Sequence, residues 1–396
     1  KDITDPALVR QIHEDTGGLP VLVELLASTH PQPGFPLPDI SKNAVERFLQ
    51  WTPEEDKRKV ALLAAVPRQF NQDILAAAYE GDVTALFTWL INQSFVRREK
   101  SRGYFYHEKV RELMVRHLKN TSPSSLRITH SKLASYYSFC QADLNLFDKD
   151  CYESQNWKNW EVERVFHALS FDLERNLPES VEAYFLAFRW RWRFAESIAK
   201  SVFSAGHEQL NGKVERTGEA LMQVWKEYQS DEVENGVKLL QELDAYNLSL
   251  VAKCECCSML GHFYRLSGSW EQSINHLSQA IELDEKNAKA FARRGKTYGQ
   301  MGKYEEALTD FSKAIELDEK YDWAIASRGA IYGQMGKYEE ALTDFSKAIE
   351  LDEKDEEAIA MRGLTYRQMG KYEEALTDLS KAIELDEKYK GAIANR

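Results

Sequence analysis

The last third of the chain repeats its pattern of apolar and polar positions every 34 residues. In one period Tyr304, Ala307, Leu308, Phe311, Ala314, Ile315 and Leu317 mark one helical face. Glu305, Glu306, Asp310, Lys313 and Glu316 mark the other. A second helical stretch, Lys289 to Met301, precedes it, and the two join around Gly302 and Lys303. The block 302–320 returns unchanged at 336–354, and again at 370–388 with Leu379 in place of Phe. A looser copy starts at Gly268. Small residues (Gly295, Gly329 and Gly363, with Ala307, Ala341 and Ala375) are expected where the helices of a hairpin approach closely. One hairpin cannot bury its apolar face alone, so stacked units are expected to build a long binding surface instead of a closed catalytic pocket.

The N-terminal third has no repeat. Residues 4–15 read as a short helix, followed by Thr16-Gly-Gly-Leu-Pro20 and an apolar helix over 21–27. Four prolines between Pro31 and Pro38 predict a stiff linker. Helices are then expected at Glu55–Ala65, Asp73–Tyr79 and Val83–Asn92. Ser94 to Arg98 and Tyr104 to Tyr106 flank a turn at Gly103 and read as a hairpin, with a further helix from about His107 to Leu118. Three helices and a hairpin describe a winged helix. Thr121 to Ser125 reads as a linker, and residues 121–250 as a helical adaptor rich in aromatics. In it, Phe188-Arg-Trp-Arg-Trp-Arg-Phe194 is expected to pack its rings inward while the arginine stems reach outward.

The 34-residue unit resembles the tetratricopeptide repeat over residues 251–396, in about four units with the last one truncated. In the first unit Leu260, Gly261, Tyr264 and Ala280 are in register and Ser273 replaces the usual Ala. Glu319 and Glu353 stand where the family often has Pro, which suggests a less sharply terminated second helix. The resemblance implies a groove lined by each unit's first helix. Its candidate contacts for a protein or peptide ligand are Lys289, Arg293, Lys296, Gln300, Trp323, Gln334, Arg367 and Gln368, with Ser327 and Glu357 between them. Ala292, Ala326 and Ala360 stand where a clamp for C-terminal carboxylates would carry basic side chains, so that ligand is not expected.

The order Gly18-Leu19-Pro20, linker, winged helix, and a hairpin ending in Tyr106-His107-Glu108 resembles the signal-transducing ATPases of the NB-ARC/STAND class. On that resemblance residues 1–38 are a remnant of the ATPase's helical subdomain plus linker, and 39–120 are its winged helix. Gly18 and Pro20 would pack on nucleotide, and His107 would reach the phosphate of bound ADP, though Glu108 replaces the family's Asp. ATP or ADP is implied only for a complete parent protein. No G-x-x-x-x-G-K-[ST] loop occurs in this chain, so it carries no cofactor of its own and is not expected to act as an enzyme alone. The chain starts at Lys1 without Met and stops at Arg396 early in a further first helix, which reads as a fragment of a longer protein. Its open terminal repeat would then be available for self-association.

Composition adds limits. A formal net charge of −12 disfavours nucleic acid and anionic membranes as partners, and the third helix of the winged-helix segment has no Lys or Arg with which to read DNA. No apolar run is long enough to span a bilayer and no signal peptide opens the chain, so a cytoplasmic location is expected. Cys254, Cys256 and Cys257 are expected to be buried free thiols, since no second ligand pair suggests a metal. The expected whole is a mainly α chain: winged helix with hairpin, helical adaptor, then a superhelix of repeats. Its expected role is the sensor portion of a signalling ATPase. The alternatives are an interaction scaffold without nucleotide linkage and, third, a DNA-binding regulator.

Overall fold

The computed structural model describes residues 45–46, 49, 52–93, 95–99 and 103–385, together with Ala7 and Arg10. Apart from Ala7 and Arg10, both helical, the helix expected at 4–15 lies outside the described residues, as do the one at 21–27, Gly18, Pro20 and the proline-rich linker. What is described is mainly α-helical, with a single two-stranded sheet among the described residues. The chain divides into two compact units: Lys1–Ser180 with Ser197–Glu219, and Val181–Glu196 with Ala220–Arg396. The segment 121–250, read as one adaptor, is thus shared between them.

In the first unit α1 (Glu55–Leu63), α2 (Gln72–Ala78) and α3 (Thr84–Ile91) precede a hairpin of β1 (Val96–Glu99) and β2 (Gly103–Tyr106), and α4 (Glu108–Thr121) follows. The α2 start is fixed by Asn71, whose side chain accepts from the Ile74 amide at 2.8 Å. β1 and β2 pair antiparallel from Val96 opposite Tyr106 to Glu99 opposite Gly103. Phe70 adds an antiparallel bridge to Tyr104, with N–O distances of 2.7 and 3.0 Å. The hairpin is locked to α1 by the buried Tyr106 hydroxyl, which donates to the Ala61 carbonyl at 2.8 Å. Val60, Ala61, Phe70, Leu75, Leu90, Phe95, Tyr106, Val110, Met114 and Leu118 share one core. On α4 the buried positions Val110, Met114 and Leu118 recur every four residues, as an amphipathic helix requires.

The linker expected at 121–125 is absent. Ser122 alone separates α4 from α5 (Pro123–Asp143), and Pro123 opens that helix, where its missing N–H costs nothing. After a short α6 (Lys149–Glu153), α7 (Gln155–Phe171) packs on α5 through two buried histidines. His130 Nδ1 and His167 Nδ1 lie 2.8 Å apart. Burial lowers the His130 pKa to about 3 and holds His167 well below its ordinary value, so both rings are neutral and one Nδ1–H donates to the other.

α8 (Leu173–Glu208) departs from helical geometry at Arg191 (φ −148°, ψ 75°), and α9 (Gly212–Ser230) follows it. In the second unit Phe188 and Phe194 are buried, and the Arg189 guanidinium donates to Asp284 at 2.5 Å. Phe188 and Phe194 thus pack inward and Arg191 and Arg193 are exposed, but Arg189 is half-buried and paired instead of reaching outward. α10 (Gly236–Asp244) is then capped by the Glu227 carboxylate, which accepts the amides of Glu234, Asn235 and Gly236 at 2.7–3.2 Å.

Four hairpins follow: α11 (Leu250–Leu266) with α12 (Trp270–Leu283), α13 (Ala288–Gln300) with α14 (Tyr304–Leu317), α15 (Asp322–Gln334) with α16 (Tyr338–Leu351), and α17 (Glu356–Gln368) with α18 (Tyr372–Leu385). Each pair turns through a left-handed glycine. At Gly302 (φ +74°) the Lys303 amide reaches back to the Tyr298 carbonyl at 2.9 Å and the Gly302 amide to Gly299 at 3.1 Å, a Schellman turn. Close approach explains the other small residues. A Cβ at Gly329 would lie 3.2 Å from the Phe345 ring, and one at Gly261 2.4 Å from Leu277 Cγ.

Two expectations about the unit need correction. The second helices end sharply without Pro: Asp284, Asp318 and Asp352 turn extended right after Leu283, Leu317 and Leu351, and each accepts the amide two residues on at 2.9–3.1 Å. Asp310, assigned to the polar outer face, is buried. Its carboxylate takes a two-pronged bond from Arg294 at 2.7 and 2.8 Å. Arg328 with Asp344 and Arg362 with Asp378 repeat the pair 34 residues on each time. In each case the same arginine also bonds a serine of the preceding unit's second helix: Ser278, Ser312 or Ser346. Arginine thereby ties one unit to the next.

Candidate functional site

The first helices of the repeats place three of the expected groove residues, Arg293, Lys296 and Trp323, around one pocket of about 440 Å³. Glu357 joins them from the start of α17. The opposite wall comes from outside the predicted groove positions: Tyr228 near the end of α9, Asp231 just beyond it, and His262, Arg265 and Leu266 on α11. Tyr321 completes the lining beside Trp323, their rings 5.9 Å apart.

The charges in this pocket are not equivalent. Arg293 is buried and committed: it donates to the Ser258 hydroxyl at 2.5 Å and the Tyr228 hydroxyl at 2.7 Å, with Glu255 3.8 Å behind. Burial opposes its charge, but Tyr228 and Glu255 outweigh it and hold the pKa above the ordinary arginine value. Arg293 therefore shapes the wall and is no free contact. Arg265 is half-buried, and its guanidinium meets the neutral Gln300 amide oxygen at 3.5 Å. Burial pushes its pKa down, Asp231 pulls the other way, and the neighbouring Arg293 adds a lesser downward push. Lys296 lies over the Trp323 ring at 5.9 Å. His262 is lowered to about 2 by burial and by Arg293 and Arg265, so it is neutral although Asp231 lies 3.3 Å from its Nε2.

The remaining groove candidates are dispersed. Lys289 donates to the Arg189 carbonyl at 2.5 Å. Gln300 meets Arg265, while Gln334, Arg367 and Gln368 are exposed and outside the pocket. Ser327 is buried. Ala292 and Ala360 are buried. Tyr228, Asp231, His262 and Arg265 were missed because register with the repeat was the only guide. Tyr228 and Asp231 belong to no repeat.

In the first unit His107 takes the N-cap position of α4, with its amide bonded to the Phe95 carbonyl at 3.1 Å and no side-chain cap bond. Arg111, one turn on, forks onto Glu208 at 2.7 and 3.2 Å, and Lys119 donates to the Glu208 carbonyl. Arg116 and Lys109 share Glu112. α3 (TALFTWLI) has no basic side chain, and Leu86, Phe87, Trp89 and Leu90 pack in the core. The first unit should accordingly show no salt-sensitive binding to duplex DNA. A retardation assay at 50 mM salt that found such binding would overturn this reading.

The cysteines are free. Cys254, Cys256 and Cys257 are buried, and no group of three metal-ligating side chains occurs among the described residues. Burial pushes all three thiols above their ordinary pKa. Cys254 instead donates to the Ala280 carbonyl at 3.2 Å and accepts from the Asn287 amide at 3.2 Å. In native buffer a thiol reagent should label at most the half-buried Cys140 and Cys151 quickly, and all five cysteines only in denaturant. Fast labelling of a third thiol would contradict the burial described.

No helix among the described residues is long and apolar enough to cross a membrane. No curated protein is a significant sequence match to the chain. Among solved structures, the chain is similar to a Signal Transduction ATPase with Numerous Domains (STAND) from Pyrococcus horikoshii that carries a tetratricopeptide repeat sensor. That match has 16% identity and a TM-score of 0.60, and covers 99% of this chain and 59% of that one. The chain thus spans about three fifths of that protein, and at this identity the likeness speaks to the fold alone. Shorter matches include YrrB, described as a TPR protein with an unusual peptide-binding site (20% identity, 50% of this chain, 97% of that chain, TM-score 0.35). MamA is another (23% identity, 42% of this chain, 95% of that chain, TM-score 0.36). The tetratricopeptide repeat model matches residues 288–321, 323–355 and 357–389, and a second TPR repeat model matches 261–302. Residues 261–389 are tetratricopeptide repeats, an architecture built for binding other proteins.

Proposed function

We propose that this chain is the regulatory and sensing portion of a STAND-type signalling ATPase. The observation that carries the reading is the order of its parts. Residues 52–121 form three helices, a hairpin and a helix opened by His107, and tetratricopeptide repeats follow at 261–389. A fold of this order over 99% of the chain in a STAND protein with such a sensor supports it, as does Gly18-Leu19-Pro20 upstream.

In this reading the 52–121 segment is a winged helix that holds an ATPase module in its resting state, and the repeats recognise a protein trigger. A trigger opens the module only so far as it prefers the open state, so the array has to differ in affinity between the two. The residues of this chain that would face nucleotide are Gly18, Pro20 and His107. ADP would supply the negative phosphate that a histidine at a helix N-terminus can meet. With no phosphate loop in this sequence, hydrolysis belongs to residues of a parent protein.

The test is the longer protein that carries this chain. It should be purified with bound ADP and hydrolyse ATP slowly. A protein with neither property would refute the reading and leave the repeats as an interaction scaffold without nucleotide linkage.

A further inference from the structure

The pocket between α9, α11, α13 and α15 holds a feature the repeat pattern does not require. Arg265 is a half-buried cation facing a neutral amide, and among the described residues no carboxylate forms an ion pair with it, Asp231 being the acid that acts on it from a greater distance. Withdrawing a guanidinium from water is costly unless an anion compensates. Burial is the main penalty on the Arg265 charge; Asp231 offsets part of it from the rim, and Arg293, engaged by Tyr228 and Glu255, adds a smaller repulsion. Lys296 adds a second cation held over Trp323, which is itself 37% exposed. The nearby acids, Asp231 and Glu357, are both exposed at the rim. The neutral His262 adds no compensating charge.

The geometry points to a binding site for an acidic peptide segment, in which one side-chain carboxylate enters between Arg265 and Lys296 and the adjoining apolar side chain lies against Trp323. The carboxylate gains two charge-assisted donors in a partly dry site, where they are worth more than in water. Trp323 offers an aromatic face for the neighbouring residue. Asp231 and Glu357 at the rim would meet a basic residue flanking the acid and would repel a run of acids longer than the pocket, so the site selects one inserted carboxylate. The wall residues Tyr228 and Arg265 place this site off the first-helix positions of a C-terminal carboxylate clamp, so the ligand needs no free C-terminus. The inference rests on the reading of the array as a partner-binding arm.

The experiment uses the whole chain and a fluorescein-labelled octapeptide with a single Glu followed by Leu among Ser and Gly, blocked at its ends, beside a twin with Gln in place of that Glu. Fluorescence anisotropy should show the Glu peptide bound about tenfold more tightly than its twin, the loss of one charge-assisted contact. The difference should shrink as salt is raised. Arg265→Gln and Lys296→Gln should each remove most of the preference, while Asp231→Asn should keep it. Circular dichroism melts identify any variant that has lost its fold, and the two cation variants then check each other. Equal binding of the two peptides, or a preference unchanged in both Arg265→Gln and Lys296→Gln, overturns the proposal. So does ATP at equal concentration displacing the peptide as well as unlabelled Glu peptide does, since the site would then take phosphate. None of these results bears on whether the longer protein binds nucleotide, so the pocket can fail while the signalling reading stands.

Discussion

Phe345→Ala is expected to destabilise the repeat array by about 3–5 kcal/mol, the usual cost of deleting a buried phenyl ring that its surroundings cannot replace. Phe345 on α16 is buried in the gap left by Gly329 on α15, where an added Cβ would stand 3.2 Å from the ring. The neighbours cannot fill the hole, because Ala341 and Ala348 are fully buried and too small to reach into it. The chain carries its own control. Leu379 takes the same place on α18, buried against Gly363 with a Cβ-to-Cγ approach of 3.1 Å. Phe345→Leu should therefore cost no more than about 1.5 kcal/mol. Urea denaturation followed by circular dichroism measures both. Equal midpoints for Phe345→Ala and the parent would show that the ring is not the knob of this hairpin.

Arg328→Ala should cost about 2–3 kcal/mol, somewhat less than breaking a fully buried pair because the arginine is partly exposed. The loss strands Asp344, a buried carboxylate that takes both of its bonds, each 2.8 Å, from Arg328. It also removes the 3.2 Å bond to Ser312 in the preceding unit. A double change, Arg328→Met with Asp344→Leu, should recover most of the loss, since what hurts is the unpaired charge rather than the missing attraction. Hydrogen exchange should rise mainly in α14 to α16, as units in a stack contact only their neighbours. A double variant as unstable as Arg328→Ala would show that the pair itself supplies net stability.

Much of this architecture is legible in the sequence, and the reason is periodicity. Apolar faces at helical spacing give the hairpins to within a residue or two. Gly302 and its equivalents mark the turns because only a residue without Cβ takes φ near +74° freely. Tyr104 to Tyr106 and the turn at Gly103 read as a hairpin for the same kind of reason, whereas the bridge from Phe70 to Tyr104 gave no signal in the sequence. What escaped is long-range and polar. Asp310 looks like a surface acid until Arg294, on the other helix of its hairpin, is seen to bury it. Thr121 to Ser125 looks like a linker by composition, yet Pro123 starts a helix as readily as it breaks one. At the pocket, Arg293 was legible as a groove position but not as a residue consumed by Ser258, Tyr228 and Glu255. Tyr228 and Arg265 escaped because no repeat register reaches α9 and no sequence signal tells an unpaired arginine from a paired one.

The latch depends on what His107 would meet in a longer protein. The most direct measurement is the rate of ADP release from that protein, comparing the parent with His107→Ala by displacement of a fluorescent ADP. Loss of a hydrogen bond to a charged phosphate is worth about 1.5–3 kcal/mol, so release should accelerate about tenfold or more. An unchanged release rate, with ADP still bound, would contradict the latch and with it the placement of this chain behind a nucleotide switch.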